Sequence, residues 1–293
     1  MRQLLAGKTA PILIVLLAIG LFWYAAAIWM NAPWQTTLNQ RAGLDSVGAT
    51  EFIGQTWSQD KPVLPAPHQV AGEIWNATVG TDIASKRSLA YHASITLSAT
   101  LLGFALGTLL GIGLAVVIVH NDASERSLMP WIIASQTIPI LAIAPMVVVG
   151  LGAVGVTGLL PKALISMYLS FFPVVVGMVK GLRTPEAIQL DLMHTYSATP
   201  WQVFSKLRWP AAIPFLFASM KVGIAISLIG AVVGELSNNA GGGLGVRLLT
   251  GSYNGQTIQI WAALFIAAGL AAVLVIAVGA AERLVNRAMG ARP

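Results

Sequence analysis

The sequence predicts an all-α membrane protein with about six transmembrane helices. Of the 293 residues, 56% are hydrophobic and only 10% are charged, and the mean hydropathy is +0.75. Soluble domains carry about 25% charged residues, so a water-soluble enzyme is nearly excluded. The stretches Thr9–Gln40, Ser88–Asn121, Ser127–Pro161 and Leu248–Ala281 contain no Asp, Glu, Lys or Arg. Their length and continuous apolar character indicate spanning helices, whereas the strands of a membrane barrel alternate in polarity.

The apolar runs place six spans along the chain. The predicted spans cover residues 10–30, 90–119, 129–150, 162–182, 211–235 and 258–281. The first could instead be a cleaved signal peptide, because Arg2 and Lys8 precede the apolar run and Ala25–Ala27 offers small residues for cleavage. The run Pro11–Met30 is nevertheless long enough to cross a bilayer, and a retained helix is the favoured interpretation.

The positions of the basic residues predict the orientation. With a cytoplasmic N-terminus, only Lys162 and Arg247 fall in short outer segments. Ten basic residues then lie inside: Arg2, Lys8, Arg126, Lys180, Arg183, Lys206, Arg208, Arg283, Arg287 and Arg292. Inner segments are enriched in Lys and Arg, so both termini are expected in the cytoplasm. The net charge of +6 therefore reflects topology and does not indicate a nucleic-acid partner.

These spans divide the chain into four parts. We expect an N-terminal transmembrane helix (1–30), a periplasmic loop (31–89), a transmembrane core (90–282) with an inner segment (184–210), and a cytoplasmic tail (283–293). The loop is more easily explained as a cap on the bundle than as a catalytic domain. Within it, Val70–Val79 could form a short amphipathic helix.

Motifs for catalysis are missing from the sequence. It has no cysteine, no phosphate-binding Gly-x4-Gly-Lys-Ser/Thr loop, no His-Glu-x-x-His motif and no Gly-x-Ser-x-Gly elbow. The histidines His68, His92, His120 and His194 are dispersed and match no metal-ligand spacing. We therefore expect no catalytic residue, metal or cofactor in this chain.

Small residues recur every fourth position in the second predicted span: Ala99, Gly103, Gly107, Gly111 and Ala115. This spacing puts them on one helix face and permits close approach of another helix. Packing within the chain is favoured over a subunit interface.

Some polar residues and prolines of the predicted spans are candidates for a solute path. Gln136, Thr137, Pro139 and Pro145 lie in the third predicted span, where each proline removes a backbone hydrogen bond. Backbone groups freed inside a bilayer must be buried in protein or line a cavity. A path-lining helix and a kinked packing helix are equally compatible with this pattern.

Two charged residues of the fifth predicted span complete the candidate path. Lys221 lies about 16 Å of helix rise beyond Pro210, and a charge at that depth marks a pathway or an ion pair. Glu235 lies about 21 Å farther along the same helix, too far for a direct pair. Lys221 must therefore find carbonyl groups of another helix or reach the cytoplasmic surface, and a structural role is slightly favoured over solute contact.

The inner segment Thr184–Pro210 carries two helix-start signals. Thr184-Pro185-Glu186 and Thr199-Pro200 each combine an N-cap candidate with a proline suited to the first helical turn. They predict two short helices, about 185–196 and 200–208, joined at Ser197-Ala198. Apolar side chains on this water-facing segment indicate docking to a partner or to the base of the bundle.

This inner segment resembles the cytoplasmic loop of permease subunits of bacterial ATP-binding-cassette importers, Glu-Ala-Ala-x3-Gly-x9-Ile-x-Leu-Pro. The corresponding residues are Asp191-Leu192-Met193, then Ser197, then Leu207-x-Trp209-Pro210. Only the proline is identical, although the spacing is intact. Further stretches are similar to the nitrate/sulfonate/taurine branch of the family: Leu64–Val70, Ala198–Phe204, Gly234-Glu235 and Gly243-Leu244-Gly245. The resemblance covers residues 62–290.

The resemblance implies an importer-permease (MetI-like) fold in the bacterial inner membrane. Two permease subunits, homodimeric or heterodimeric, would form the path. Two ATP-binding-cassette ATPase subunits would bind below it with ATP and magnesium, and a periplasmic solute-binding protein would deliver solute above. The residues expected to couple the permease to the ATPase are Asp191, Ser197, Ala198, Trp201, Phe204, Leu207 and Pro210.

The expected solute is a sulfonate- or nitrate-like anion or a pyrimidine-like heterocycle, moved by alternating access. An ion-coupled secondary transporter or channel is the alternative function; it would need no ATPase, but no matched, inverted broken helices support it. A membrane enzyme is disfavoured by the absent motifs.

Overall fold

The computed structural model describes residues 9–44, 47–237 and 241–290, and every regular element in these ranges is helical. The helices are α1 (Thr9–Arg41), α2 (Ala49–Trp57), α3 (Pro67–Thr78), α4 (Leu89–His120), α5 (Asp122–Ser135), α6 (Ile140–Ala153), α7 (Leu159–Leu182), α8 (Ala187–Thr195), α9 (Pro200–Val203), α10 (Trp209–Leu236), α11 (Leu244–Tyr253) and α12 (Thr257–Ala288). A π-helical turn, Phe204–Arg208, connects α9 to α10.

Among the described residues, five continuous helices are long and apolar enough to cross a membrane. They are α1, α4, α7, the continuous helix Pro200–Leu236 and α12, and the bent pair α5–α6 supplies a sixth if it counts as one span. The all-α prediction with about six spans is confirmed. Two boundaries were placed too early, because α1 continues from residue 30 to Arg41 and α12 continues from residue 281 to Ala288. The ends of the chain, including Arg2, Lys8 and Arg292, lie outside the described residues.

The third predicted span, 129–150, which the two prolines were expected to bend, is broken into two helices. Helices α5 and α6 meet at an angle of 97° across Gln136–Pro139. Pro139 has no N–H to continue the ladder and disfavours helical backbone at the residue before it, so it becomes the N-cap of α6. Pro145 lies inside α6 without ending it.

The chain forms two compact units, the first made of the residues up to 90 and of 247–266. In this unit the Asn31 side chain of α1 binds the main chain of the segment 56–64, which follows α1 in the sequence. Its amide donates to the carbonyl oxygens of Thr56 (3.1 Å) and Leu64 (2.9 Å), and its Oδ1 accepts from the Val63 (2.8 Å) and Leu64 amides. The predicted loop is therefore folded, and the short helix expected at Val70–Val79 is present as α3.

The second unit comprises residues 91–246 and 267–293, and its core is built from α4, α7 and α10. The small-residue face of α4 lies directly against α7. A Cβ atom on Gly107 would lie 2.2 Å from Ser170 Oγ, and one on Gly103 would lie 2.4 Å from Ser166 Cβ. The predicted packing within the chain is therefore confirmed. The close approach leaves no space for a side chain at Gly103 or Gly107 of α4.

Contacts at the two ends of this unit show how the bent pair crosses it. At one end the Arg183 guanidinium makes a bidentate pair with Glu125 (2.7 and 2.8 Å). At the other end His92 and Lys162 both bind the segment after α10. The start of α5 and the end of α7 therefore lie at one end of the unit, and the start of α7 lies at the other end. The bent pair α5–α6, which connects these two ends, crosses the unit once.

Candidate functional site

The segment 184–210 begins with a helix whose two ends are capped. The Glu186 N–H donates to Gln189 Oε1 (3.0 Å) at the start of α8. At its end, the Ala198 N–H donates to the Met193 carbonyl (3.0 Å) and the Ser197 N–H donates to the His194 carbonyl (2.9 Å). This pair of bonds is a Schellman motif with Ser197 at the position after the cap.

Ser197 adopts a backbone conformation that favours glycine. Its φ is +51°, and it is the only residue other than glycine with positive φ in the described ranges. A left-handed conformation costs an L-residue about 1–2 kcal/mol. The importer pattern has glycine at this position, and the structure supplies the physical reason: the chain turns sharply here between α8 and α9.

The second short helix of the segment does not end where the sequence predicted. Thr199 caps α9, and the helix then continues through the π-helical turn into α10 without a break, so that Pro200–Leu236 is one helix of 37 residues. In the π-turn the Trp209 N–H donates to the Phe204 carbonyl. The predicted boundary at 208 is therefore wrong, because this turn lets Pro210 enter the first turn of α10 where a missing N–H is tolerated.

The two aromatic residues predicted for docking have different environments. Trp201 is 72% exposed. Phe204 instead packs against the core cluster that contains Ile118 and Leu182, and its ring lies 5.4 Å from that of His120. The rings of Trp201 and Phe204 are themselves 5.7 Å apart, so the exposed aromatic is linked to the core by a single ring contact.

The other predicted coupling residues differ in how far they are exposed to solvent. Asp191 and Pro210 are exposed, whereas Ala198 and Leu207 are half-buried. A groove of about 400 Å³ lies beside them, lined by Val119, His120, Leu190, His194, Ala198, Pro200, Val203 and Arg208. The segment is thus folded against the end of α4, with its apolar residues Ile188, Leu192 and Tyr196 left exposed.

Arg183 stabilises the entry to the segment. Its side-chain hydrogen bonds to Glu125 raise the pKa of the Arg183 guanidinium and lower the pKa of the Glu125 carboxyl. The pair is partly exposed, so its contribution is modest.

A buried network surrounds Glu235, one of the predicted path residues. Its carboxylate is 0% exposed and accepts hydrogen bonds from Thr96 Oγ1 (2.8 Å) and the Gly245 N–H (2.8 Å). A Cβ atom on Gly243 would lie 2.1 Å from the Glu235 carboxyl carbon. The glycines of this loop thus permit the backbone to wrap around the carboxylate.

Residues that the sequence reasoning missed hold the same loop. Lys162, 1% exposed, donates to the Gly242 carbonyl (2.8 Å). The Gly243 N–H donates to His92 Nδ1 (2.9 Å), and the Leu244 N–H donates to Thr96 Oγ1 (2.9 Å). We call residues 242–245 the glycine strap; side chains of α4, α7 and α10 bind four consecutive main-chain positions of it. The clustered glycines were the available signal, but their partners could not be read from the sequence.

Lys221 has an ion-pair partner on another helix. Its ammonium contacts the Glu282 carboxylate of α12. The expected partner, carbonyl groups of another helix, is therefore wrong in kind: the partner is a side-chain carboxylate, although it does lie on another helix. Glu282 was overlooked because the last span was predicted to end at residue 281.

Of the remaining candidate path residues, Gln136, Thr137 and Pro139 lie at the break between α5 and α6, and Pro145 lies within α6. The Thr137 hydroxyl donates to the Ala134 carbonyl (2.8 Å), and Gln136 Nε2 donates to Ser135 Oγ (3.2 Å). Pro139 and Pro145 are exposed. Next to this break, a groove of about 470 Å³ is lined by Ile140, Ile143, Met146, Val147, Gly150, Leu151, Leu164, Ile165, Met167 and Tyr168. Apart from the Tyr168 hydroxyl, which donates to the Ser135 carbonyl, its lining is apolar.

The described residues contain no group of three or more His, Asp or Glu side chains placed to hold a metal ion.

Comparison with known proteins adds to these observations. The family described as binding-protein-dependent transport system inner membrane component matches residues 107–291. The riboflavin transport system permease protein RibX of Chloroflexus aurantiacus is 32% identical over 226 residues, which cover 77% of this chain and 80% of that protein.

Two further relatives differ in what their names say they carry. The formylaminopyrimidine transport permease protein ThiX of Halalkalibacterium halodurans is 31% identical over 212 residues, covering 72% of this chain and 78% of that protein. The putative aliphatic sulfonates transport permease protein SsuC of Bacillus subtilis is 28% identical over 175 residues, covering 60% and 62%.

Proposed function

The chain belongs to the family of inner membrane components of binding-protein-dependent transport systems, and we propose that it moves a heterocyclic solute, driven by a separate ATPase that docks on segment 184–210. It is a permease subunit of an ATP-binding-cassette importer, an inner-membrane and non-enzymatic component of such systems. The observation that carries the proposal is the single helix from Pro200 to Leu236, which begins at the exposed Trp201 and ends in the Glu235 network.

This helix gives movement at the ATPase a direct route into the membrane. At 1.5 Å of rise per residue, its 37 residues extend over about 55 Å. Trp201 is the proposed contact with an ATPase groove, because exposed aromatics are frequent anchors of interfaces. Phe204 and Leu207 would transmit the displacement to the bundle, and Pro210 with the π-turn provides a point of bending. Ser197 and Ala198 set the direction in which α9 leaves α8.

Asp191 occupies the acidic position of the importer loop, and we propose that it meets a cation of the ATPase. It is exposed on α8, on the same segment as Ser197 and Trp201. The two ATPase subunits would bind ATP and magnesium, and this chain would bind neither. A second permease subunit and a periplasmic solute-binding protein complete the proposed assembly.

The proposed orientation places both termini and segment 184–210 in the cytoplasm. It is supported by the ion pair between Arg183 and Glu125, which puts the segments before α5 and after α7 at one end. With the bent pair crossing once, the chain makes six crossings. The excess of basic residues on the side of segment 184–210 then assigns that side to the cytoplasm.

The solute class we propose is an uncharged or weakly charged heterocycle. The described spans hold two basic residues at depth, and both are engaged: Lys221 pairs with Glu282, and Lys162 donates to the glycine strap close to Glu235. An anion such as a sulfonate would thus find no free cation there. The relatives RibX and ThiX, each more than 30% identical, are named for riboflavin and formylaminopyrimidine.

The proposed path follows the broken span. Gln136, Thr137, Pro139 and Pro145 lie next to the apolar groove of α6 and α7, whose Tyr168 ring offers a surface for a planar solute. We assign Lys221 and Glu235 to the support of the surrounding helices, since both side chains have partners within the chain. A groove of this size with a predominantly apolar lining is typical of small-molecule sites.

Uptake into proteoliposomes tests this function. Vesicles would contain the chain with its partner permease and ATPase, with ATP enclosed and the solute-binding protein outside. We expect ATP-dependent accumulation of riboflavin or formylaminopyrimidine, and less of taurine or nitrate. Uptake that persists without the ATPase and follows an ion gradient would instead support the secondary-transporter alternative.

A further inference from the structure

A polar cavity of about 390 Å³ lies in the first unit. Its lining residues come from parts of the sequence other than segment 184–210. Its lining includes Glu73, Asn76, Arg87, Arg247, Asn254 and Gln259. The charged members have both signs, and the amides supply further donors and acceptors. None of these residues belongs to the proposed path or to the segment 184–210.

The three charged side chains of the cavity are not paired with one another. Within the described ranges the ion pairs are those of Arg183 with Glu125 and of Lys221 with Glu282, and neither includes Glu73, Arg87 or Arg247. Arg247 Nη2 donates to the Arg87 carbonyl (3.2 Å), but Arg247 Nε is buried without a hydrogen-bond partner. A buried donor without a partner is costly. An acceptor that enters this cavity would therefore gain a favourable hydrogen bond from Arg247 Nε.

The cavity adjoins the starts of two helices that are long and apolar enough to cross a membrane. Arg87 precedes the first residue of α4 by two positions, and Gln259 lies in the first turn of α12, and both helices are membrane spans. The adjoining segment exposes apolar side chains, with Trp75 65% and Ile83 68% exposed. Trp75 lies on α3 and Ile83 in the turn region after it, shortly before the start of α4. Tryptophan is enriched at membrane interfaces, so these exposed side chains favour a position of the cavity at the level of the lipid headgroups.

We propose that this cavity binds the zwitterionic headgroup of phosphatidylethanolamine. The phosphate would accept from Arg87 and from Arg247, including its unsatisfied Nε, since guanidinium donors match phosphate geometry. The primary ammonium would donate to Glu73 and to the amide carbonyls around it. This proposal is independent of the proposed transport function. It does not depend on which solute the protein carries.

Native mass spectrometry of the purified chain, with added lipids of matched acyl chains, tests this site. We expect phosphatidylethanolamine to be retained more strongly than phosphatidylglycerol, which lacks the cation, and phosphatidylcholine, whose quaternary ammonium cannot donate. Arg87→Ala should weaken retention of phosphatidylethanolamine and phosphatidylglycerol by about fivefold each. Glu73→Gln, of nearly equal shape, should remove the preference for phosphatidylethanolamine over phosphatidylglycerol.

Lys61→Ala removes an exposed cation from the same segment and is the matched control, with no expected change. Because Arg87 is exposed, its replacement should leave the fold intact, which circular dichroism would verify. Equal retention of the three lipids, or retention that Arg87→Ala and Glu73→Gln leave unchanged, would overturn the proposal. So would loss of solute-binding-protein capture in Arg87→Ala with lipid retention intact, since the cavity would then be a protein contact.

Discussion

Replacing Ser197 by glycine should stabilise the end of α8. Ser197 holds a φ of +51° at the C-terminal side of the helix, where a side chain costs about 1–2 kcal/mol that glycine avoids. Glycine also gains freedom in the unfolded chain, which offsets roughly 0.5–1 kcal/mol of that gain. The expected net stabilisation of the Schellman turn is therefore about 0.5–1 kcal/mol.

Hydrogen exchange measured by mass spectrometry is suited to this local change. The Ser197 and Ala198 amides donate the two bonds of the Schellman motif, so their exchange reports the opening of this turn. In Ser197→Gly the peptide that contains them should exchange about two- to fivefold more slowly than in the wild type. The global melting temperature should change little, because α8 has no buried residues and its end lies outside the packed core.

Ser205→Gly is the matched control, because the same substitution there has the opposite sign. Ser205 lies in the π-turn with right-handed backbone and donates to the Trp201 carbonyl (2.7 Å). Glycine in a helix interior is destabilising, so exchange around residue 205 should accelerate. Unchanged or faster exchange at 197–198 in Ser197→Gly would refute the conformational argument.

Further predictions concern the interior of the bundle. Thr96→Val removes the hydroxyl that binds Glu235 and the strap, and should cost about 1–3 kcal/mol in thermal or denaturant unfolding; Thr108→Val, on the same helix, should cost much less because its buried hydroxyl has no partner. Lys221→Met should lower thermal stability, and the added substitution Glu282→Gln should recover part of the loss; additive losses in the double variant would rule out the pair. Phe204→Ala should destabilise the fold by about 2–4 kcal/mol, since the ring packs on the core, and an unchanged melting temperature would contradict that placement.

The sequence was sufficient for the number and approximate positions of the spans, because hydropathy over 20 residues depends little on tertiary contacts. It did not distinguish the two prolines of the third span. Pro139 ends a helix and Pro145 lies within one, and the difference arises from the turn that Gln136 and Thr137 adopt before the first. Spacing alone contains no information about that turn.

The segment 184–210 shows a similar division. The cap at Thr199 follows from local side-chain chemistry and was predicted. The other predicted cap is wrong, because the Thr184 hydroxyl donates to the Lys180 carbonyl and Glu186 is the N-cap of α8, which starts at Ala187. The continuity from α9 into α10 was not predictable, because Pro210 usually marks a helix start and the π-turn that admits it has no clear sequence signal. It was likewise not predictable that Trp201 would be exposed and Phe204 packed on the core. This difference depends on the position of His120, which contacts the Phe204 ring.

Partners distant in sequence were beyond the reach of sequence reasoning. Lys221 was expected to have a partner on another helix because an unpaired charge there is costly, yet only the fold shows that Glu282 is adjacent. The same holds for Lys162, which charge counting placed in an outer loop and which the structure buries against the strap.

The central claim is that the ATPase contacts Trp201 at the start of the long helix, and site-specific photo-cross-linking tests it directly. The native chain has no cysteine, so a benzophenone maleimide can be attached at Trp201→Cys alone, with Trp29→Cys on α1 as an equally exposed control. In the assembled complex, irradiation should join the ATPase to the label at position 201 and not to that at position 29. Absence of the cross-link at 201 in a complex that still hydrolyses ATP on addition of solute would contradict the claim.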